Sequence, residues 1–435
     1  MPVAAVIVAV VLGIFLPRLD LIVDSELPTA VDSALFNGGA DTARSVLSSI
    51  AGSLITATSL TFSLTVIALQ LASSQASPRV LRLFASDRQV HWTLAAFLGT
   101  FAYSVTVLRS VRSATEGSAE FVPRISVTLA FVLTLVSVIM LVFFLAHLAA
   151  QLRVETMLKE IHAETDRTID LVAESNAGAA AFDDQVSVPS HRHAITAHAS
   201  GFITYRDLDL LVSAAGEHGV VIQETKRVGE NAVTGTPLAF WWPSEAGERR
   251  LDVASIEKAV RAAYSIRYER TASQDIGYGV EQMVDIALRA LSPAVNDPTT
   301  AAHALGHLSA ITARTVRMPR LPAALRREDG ALGVVTVAHP SRDDVRAALS
   351  PIRHNCSDHP AVVARFVQAV EEVAYVCDDR EVNAELIAQL DALVDQLRLS
   401  EDDPAATTEL LARCEDVRRR VAEAMRHSAS VSHDT

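Results

Sequence analysis

The feature that most narrows what this chain can become is ISVTLAFVLTLVSVIMLVFFLAHL, Ile125 to Leu148, which contains no Asp, Glu, Lys or Arg. As a helix it rises roughly 36 Å, enough to cross a hydrocarbon layer of about 30 Å. Val46–Leu71 and Leu94–Val111 are further stretches of spanning length, and Val3–Leu16 is a shorter one that stops at Pro17. Hydrophobic residues make up 50% of the 435, and the long apolar runs are confined to Pro2–Ala150. The chain therefore divides into a membrane half and a soluble half.

Val3–Leu16 would rise only about 21 Å, short of a full span. With no basic stretch before it and no small-residue cleavage site after it, it reads as a first membrane helix whose beginning is short or missing, rather than as a signal peptide. The expected transmembrane domain, 1–150, thus holds helices at about 3–16, 46–71, 94–111 and 125–148. Between Arg18 and Arg44, Asp20, Asp24, Glu26, Asp32 and Asp41 with Pro28 and Gly38-Gly39 read as an exposed acidic connection.

The second span is the unusual one. Ser49, Thr56, Ser63 and Gln70 recur every seventh residue, a spacing that returns to nearly the same helix face. Two readings stand. Ser and Thr can bond one turn back or allow close helix packing, with Gly52 and Ser53 nearby. Alternatively the four line a polar path, which Gln70 favours because an amide facing lipid is costly. After Pro78, Arg79 and Arg82 share one face beside Val80, Leu83 and Phe84, the pattern of a short amphipathic helix at the headgroups, and Trp92 suits an interfacial anchor.

Lys and Arg near the helix ends tie at five on each side, so the positive-inside rule sets no orientation. Three widely spaced cysteines, Cys356, Cys377 and Cys414, with no CxxC pair, suit a reducing compartment, and the large carboxyl half is expected in the cytosol. A net charge of −13 gives a nucleic-acid partner no general support.

TFSLTVIALQLASSQASPRVLRLF, LGTFAYSVTVLR and, later, VDIALRALSPAVNDPTTA resemble the bacterial predicted membrane proteins of domain of unknown function 2254. The resemblance covers nearly the whole chain. It implies a multi-pass protein of the bacterial inner membrane with a cytosolic carboxyl-terminal region, and it brings no established activity. The short first run departs from the family pattern.

In the soluble half, 151–187 reads as a helical connector continuing the fourth span, then a flexible boundary at Asn176–Ser187. A small β-rich domain is expected over 188–250, with a turn at Ser200-Gly201 and two strands around VGENAVTGTPLA. That piece resembles the hammerhead turn of lipoyl- and biotinyl-type barrel-sandwich domains, but the lysine tip that would carry a prosthetic group is absent, so no cofactor is expected. A mainly helical domain follows over 251–427, with Val334–Ala338 a short strand and 428–435 a disordered tail. The expected fold class is thus an α-helical integral membrane protein with four transmembrane helices, followed by a cytosolic α+β region, a small barrel-sandwich-like β-domain plus helices.

Asn296 or Asp297 can cap the helix that Pro298 starts; the alternative makes Asn296, Asp297 and Asp285 a polar ligand or ion site. His303 and His307 have the i,i+4 spacing of a metal pair, but no third ligand is evident and they read as ordinary residues. With no phosphate-binding loop, dinucleotide fingerprint or nucleophile elbow, the chain is not expected to be an enzyme. The functional expectation is an oligomeric ion channel whose second helices line a shared pore and whose soluble half assembles or gates it. The alternative is a non-conducting scaffold or sensor whose soluble half binds a partner or metabolite. The bilayer, further copies of the chain, and ions or a small ligand are the expected partners.

Overall fold

The computed structural model describes residues 1–23, 35–75, 87–113, 120–151, 153–182, 185–244, 252–337, 341–399 and 404–431. The chain forms two compact units, Met1–Thr156 and Met157–Thr435. The amphipathic segment at Arg79 and Arg82, the acidic residues Asp24, Glu26 and Asp32, and 432–435 of the expected tail lie outside the described residues.

Among its described residues the first unit contains four helices long and apolar enough to cross a membrane: α1 (Pro2–Val23), α2 (Ala40–Gln75), α3 (Arg88–Leu108) and α4 (Arg124–Gln151). The first is longer than expected. Pro17 lies inside α1 instead of ending it, a position tolerated in apolar helices when neighbours satisfy the freed carbonyl. α3 is the hub, packing against α1, α2 and α4. Its small residues permit the close approach: a Cβ on Gly99 would lie 3.7 Å from the Ala5 carbonyl oxygen, and one on Gly13 of α1 would meet Thr106 at 2.8 Å. Leu47, Ile50 and Leu54 of α2, Phe97, Tyr103 and Val107 of α3, and Val127 and Ala130 of α4 share the core.

Two aspartates fasten the ends of this bundle. Asp20, read from sequence as part of an exposed loop, is instead buried in the last turns of α1. Its carboxylate accepts from the Ile125 N–H at 2.9 Å, the Ser126 N–H at 3.1 Å and the Ser126 hydroxyl at 2.6 Å, so it occupies the exposed amides that start α4. Asp87 caps α3 through the Gln89 N–H at 2.8 Å and meets His147 Nε2 of α4 at 2.5 Å.

α4 does not run on as one continuous connector: α5 (Val154–Gly178) is a separate helix, and the division between the units falls within it. Nor is Asn176–Ser187 a loose boundary where it is described. Asn176 is buried and donates to the Pro319 carbonyl at 2.8 Å, and Phe182 N–H donates to the Ala324 carbonyl at 2.9 Å.

The second unit holds β1 (His193–Thr196), β2 (Gly201–Arg206), α6 (Leu208–His218), β3 (Val220–Glu224), β4 (Asn231–Ala232), β5 (Pro237–Pro243), α7 (Val253–Ala262) and β6 (Tyr264–Arg267). Then come α8 (Ile276–Ala290), α9 (Pro298–Thr315), β7 (Ala324–Arg326), β8 (Leu332–Val335), α10 (Ser341–Arg353), α11 (Pro360–Val376), α12 (Arg380–Leu399) and α13 (Pro404–Val431). The strands of 188–250 do not close on themselves. A five-stranded sheet runs β1-β5-β3-β8-β7, with β3 and β8 parallel, and a three-stranded sheet runs β4-β2-β6. Ser200-Gly201 is therefore no hairpin turn, since β1 pairs with β5 while β2 pairs with β4 and β6. Within the 251–427 expected to be mainly helical, α7 stops at Ala262 and Tyr264–Arg267 is a strand that packs Tyr264 and Ile266 on the core.

α8 packs against both α9 and α10, its buried stripe being Val280, Met283, Ile286 and Ala287. Gly279 touches α5, where a Cβ would fall 1.9 Å from Thr165 Oγ1. Gly279→Ala is therefore expected to destabilise the protein by about 1–3 kcal/mol through overpacking, whereas Gly178→Ala, with nothing within 4 Å, is not. Thermal denaturation followed by circular dichroism checks the pair.

Candidate functional site

The second span carries two opposite faces. Ala43, Leu47, Ile50, Leu54, Thr61 and Ala68 of α2 are buried, at helical spacing, in the first unit. Ser49, Thr56, Ser63 and Gln70 are all exposed. Packing within the chain thus does not account for the polar stripe. Thr56 returns its hydroxyl to the Gly52 carbonyl at 2.9 Å, a local bond that a membrane helix tolerates. Gln70 has two donors and an acceptor to satisfy, more than one carbonyl can meet. A Cβ on Gly52 would touch nothing within 4 Å, leaving room for another backbone on this side.

In the second unit a cleft of about 1270 Å³ opens between the β-sheets and α5, α8 and α10. One face of α8 supplies Ile276, Val280, Val284 and Leu288, with Glu281 and Asp285 beside them. Arg206 and Arg227 enter from the β-part. The charged wall is tied together. Arg270 forks onto Asp275, with Nε to Oδ2 and Nη2 to Oδ1 both 2.8 Å, and also pairs with Glu281. Asp275 in turn caps α8 through the Tyr278 N–H at 3.1 Å. Gly229, at φ 89°, lies against that carboxylate; a Cβ there would sit 2.7 Å from Asp275 Oδ2. Arg206 donates to the buried Glu224 at 3.0 Å, and the Tyr264 hydroxyl donates to the same carboxylate at 2.8 Å. Burial pushes the Glu224 carboxyl above its ordinary range, against Arg206 and Tyr264, which favour its ionised form. These paired charges make a preformed pocket with apolar and polar walls, the usual character of a small-molecule site.

The structure separates the residues that the sequence grouped. Asp285 lines the cleft; Asn296 and Asp297 do not. Asp297 caps α9, accepting from the Thr300 N–H at 3.1 Å and the Thr300 hydroxyl at 2.6 Å. Asn296 adopts φ 49°, a left-handed conformation that Asn tolerates, and so turns the chain into that cap. His307 meets a partner the sequence did not suggest, His162 of α5, while His303 is exposed. No periodicity connects residues on two helices 145 positions apart. Among the described residues no three His, Cys, Asp or Glu side chains are placed to hold a metal ion. The three cysteines are buried, and burial raises Cys356 to about 12 and Cys377 and Cys414 to about 11, so little reactive thiolate is present at neutral pH.

The bonds from Thr300 hold the Asp297 carboxyl below its ordinary range. A lowered carboxyl contributes stability at pH above the usual carboxylate value, and that contribution fades as pH falls through the lowered one. Asp297→Ala is expected to cost about 0.5–2 kcal/mol at neutral pH, and less in acid. Denaturant melts of wild type and variant across that pH range check this.

The family model described as predicted membrane protein (DUF2254) matches residues 1–372. Uncharacterized proteins of Mycobacterium bovis and Mycobacterium tuberculosis are each 33% identical to the chain over 353 residues, which is 81% of this chain and 67% of theirs. No solved structure matches significantly. With four helices of spanning length and apolar character at the amino-terminal end, and a family match over most of its length, the chain belongs to the predicted membrane proteins of domain of unknown function 2254.

Proposed function

We propose that this membrane protein works as an oligomer in which α2 of each copy faces a shared axis, that ions pass along that axis, and that the second unit assembles or gates it. One observation carries the reading: Ser49, Thr56, Ser63 and Gln70 lie on the face of α2 left exposed by the rest of the chain. In hydrocarbon an amide on such a face meets no hydrogen-bonding partner, so it is better matched to water or to another copy. Four helices are few for a transport path within one chain, which favours a path shared between copies. No catalytic step belongs to this reading.

A second reading rests on the cleft. A pocket of about 1270 Å³ with a fixed charged wall also suits a non-conducting sensor that binds a small molecule in the second unit. The two part on conduction.

Purified protein in liposomes, assayed for ion flux over several ions and pH values, is expected to exceed empty liposomes. Ser63→Leu and Gln70→Leu are expected to cut that flux by about tenfold, equivalent to roughly 1.4 kcal/mol at the barrier, without changing the size of the assembly. Wild-type flux equal to that of empty liposomes under every condition would remove conduction and leave the sensor reading.

A further inference from the structure

Two imidazoles meet inside the second unit. His162 Nδ1 on α5 and His307 Nδ1 on α9 lie 3.0 Å apart, with the rings inclined at 67° and their centroids separated by 4.9 Å. A neutral imidazole has one N–H and one lone pair, so two Nδ1 atoms at this distance require at least one of them to present its lone pair to the other. The neighbour of His162 indicates which. Its Nε2 is 3.3 Å from Asp166 Oδ2, one turn along α5, a carboxylate that favours the Nε2–H tautomer, in which the lone pair on Nδ1 faces His307. Arg314 Nη1 of α9 holds Asp166 from the other side at 2.6 Å.

A histidine whose outer nitrogen is tied to a carboxylate while its other nitrogen points into a shared space has the arrangement of a metal ligand. His307 supplies the second nitrogen. Its Nδ1 lies 3.0 Å from that of His162, so in the tautomer that carries its proton on Nε2 the two lone pairs converge. We propose that His162 and His307 bind a divalent transition-metal ion through their two Nδ1 atoms, with Asp166 orienting His162 and water completing the coordination.

The distance fits. Nitrogens 3.0 Å apart subtend roughly 91–97° at an ion about 2.0–2.1 Å from each, and an opening of a few tenths of an ångström brings the angle to tetrahedral. Binding releases no net proton: the hydrogen that bridges the two Nδ1 atoms in the metal-free protein is replaced by the ion, and His307 takes the Nε2–H tautomer. Among the described residues no third such side chain converges on the pair, so the site is open and the ion exchangeable. Imidazole pairs suit zinc, nickel and copper rather than magnesium or calcium. The ion would bridge α5 to α9, the two helices already joined by Arg314.

The test uses the full chain in detergent, free of any polyhistidine tag and stripped with a chelator, titrated with Zn(II) by calorimetry and with Cu(II) by electron paramagnetic resonance. One ion per chain and a copper spectrum split by two nitrogens are expected. His162→Ala and His307→Gln are each expected to raise the Kd at least about tenfold, and Asp166→Asn about tenfold, with His191→Ala unchanged. Circular dichroism confirms that each variant is folded, and His307→Gln keeps a side chain able to hydrogen-bond should an alanine there fail to fold. Absence of binding to the wild type, affinity undiminished in folded His162→Ala and His307→Gln, or a copper spectrum without nitrogen splitting would overturn the site and leave the pair a hydrogen bond between helices.

Discussion

Helix ends are the points at which an apolar bundle is most exposed to error, because the first amides of each helix have no partner within it and hydrocarbon offers none. Asp20 answers this for α4. By placing a carboxylate of α1 over the Ile125 and Ser126 amides, it both satisfies them and fixes where α1 and α4 stand relative to each other. Tyr103 of α3 then donates to the Ser126 carbonyl at 3.1 Å, tying the hub helix to the same turn. At the other end of α4, His147 rests on Asp87, the residue that also starts α3. Between these anchors the helices need only pack, and the small residues of α1 and α3 let them do so closely. α2 buries one face against α3 and α4, and among the described residues its polar stripe is exposed.

The second unit uses charge differently. Its cleft is lined by carboxylates and guanidinium groups, yet several of the arginines are already committed, Arg270 to Asp275 and Glu281, Arg206 to Glu224. A pair of this kind adds little net stability once desolvation is counted, but it fixes side chains in place. The consequence is a cleft wall whose charged side chains are held in place by one another. Gly229 is part of the same economy of space, since the Asp275 carboxylate occupies the position that a side chain would need.

What could be read from the sequence follows the range of the interaction. The apolar runs of α2, α3 and α4 are local, and they were legible; so was the Asp297-Pro298 cap, which needs only neighbours in sequence. Pro17 was misleading because proline is a helix breaker in water but tolerable in a bundle whose other helices supply partners. Asp20 looked like a loop residue because the amides it serves lie 105 positions away. Separation in sequence likewise hid the parallel pairing of β3 with β8, which joins the strands of 193–243 to those of 324–335 in one sheet. Asp285 was singled out for lying near Asn296 and Asp297, yet it faces the cleft because of its place on α8, a property that spacing to the next cap does not report.

The polar stripe of α2 shows why exposure had to be known before residue type could be interpreted. Ser and Thr at helical spacing fit close packing as well as they fit a wet surface, and in sequence the packing explanation was the simpler one. Within the chain it would need another helix against those residues. α3 and α4 pack on α2, whose buried positions are chiefly Ala, Leu and Ile and not those of the stripe. The stripe is therefore exposed in the single chain. A hydroxyl there can turn back to its own helix, as Thr56 does, but an amide cannot satisfy all its groups in that way. Gln70 is for this reason the residue on which the choice between lipid and a second copy depends: lipid would strand its amide, whereas the same residue from a neighbouring copy, or water held between copies, would complete it.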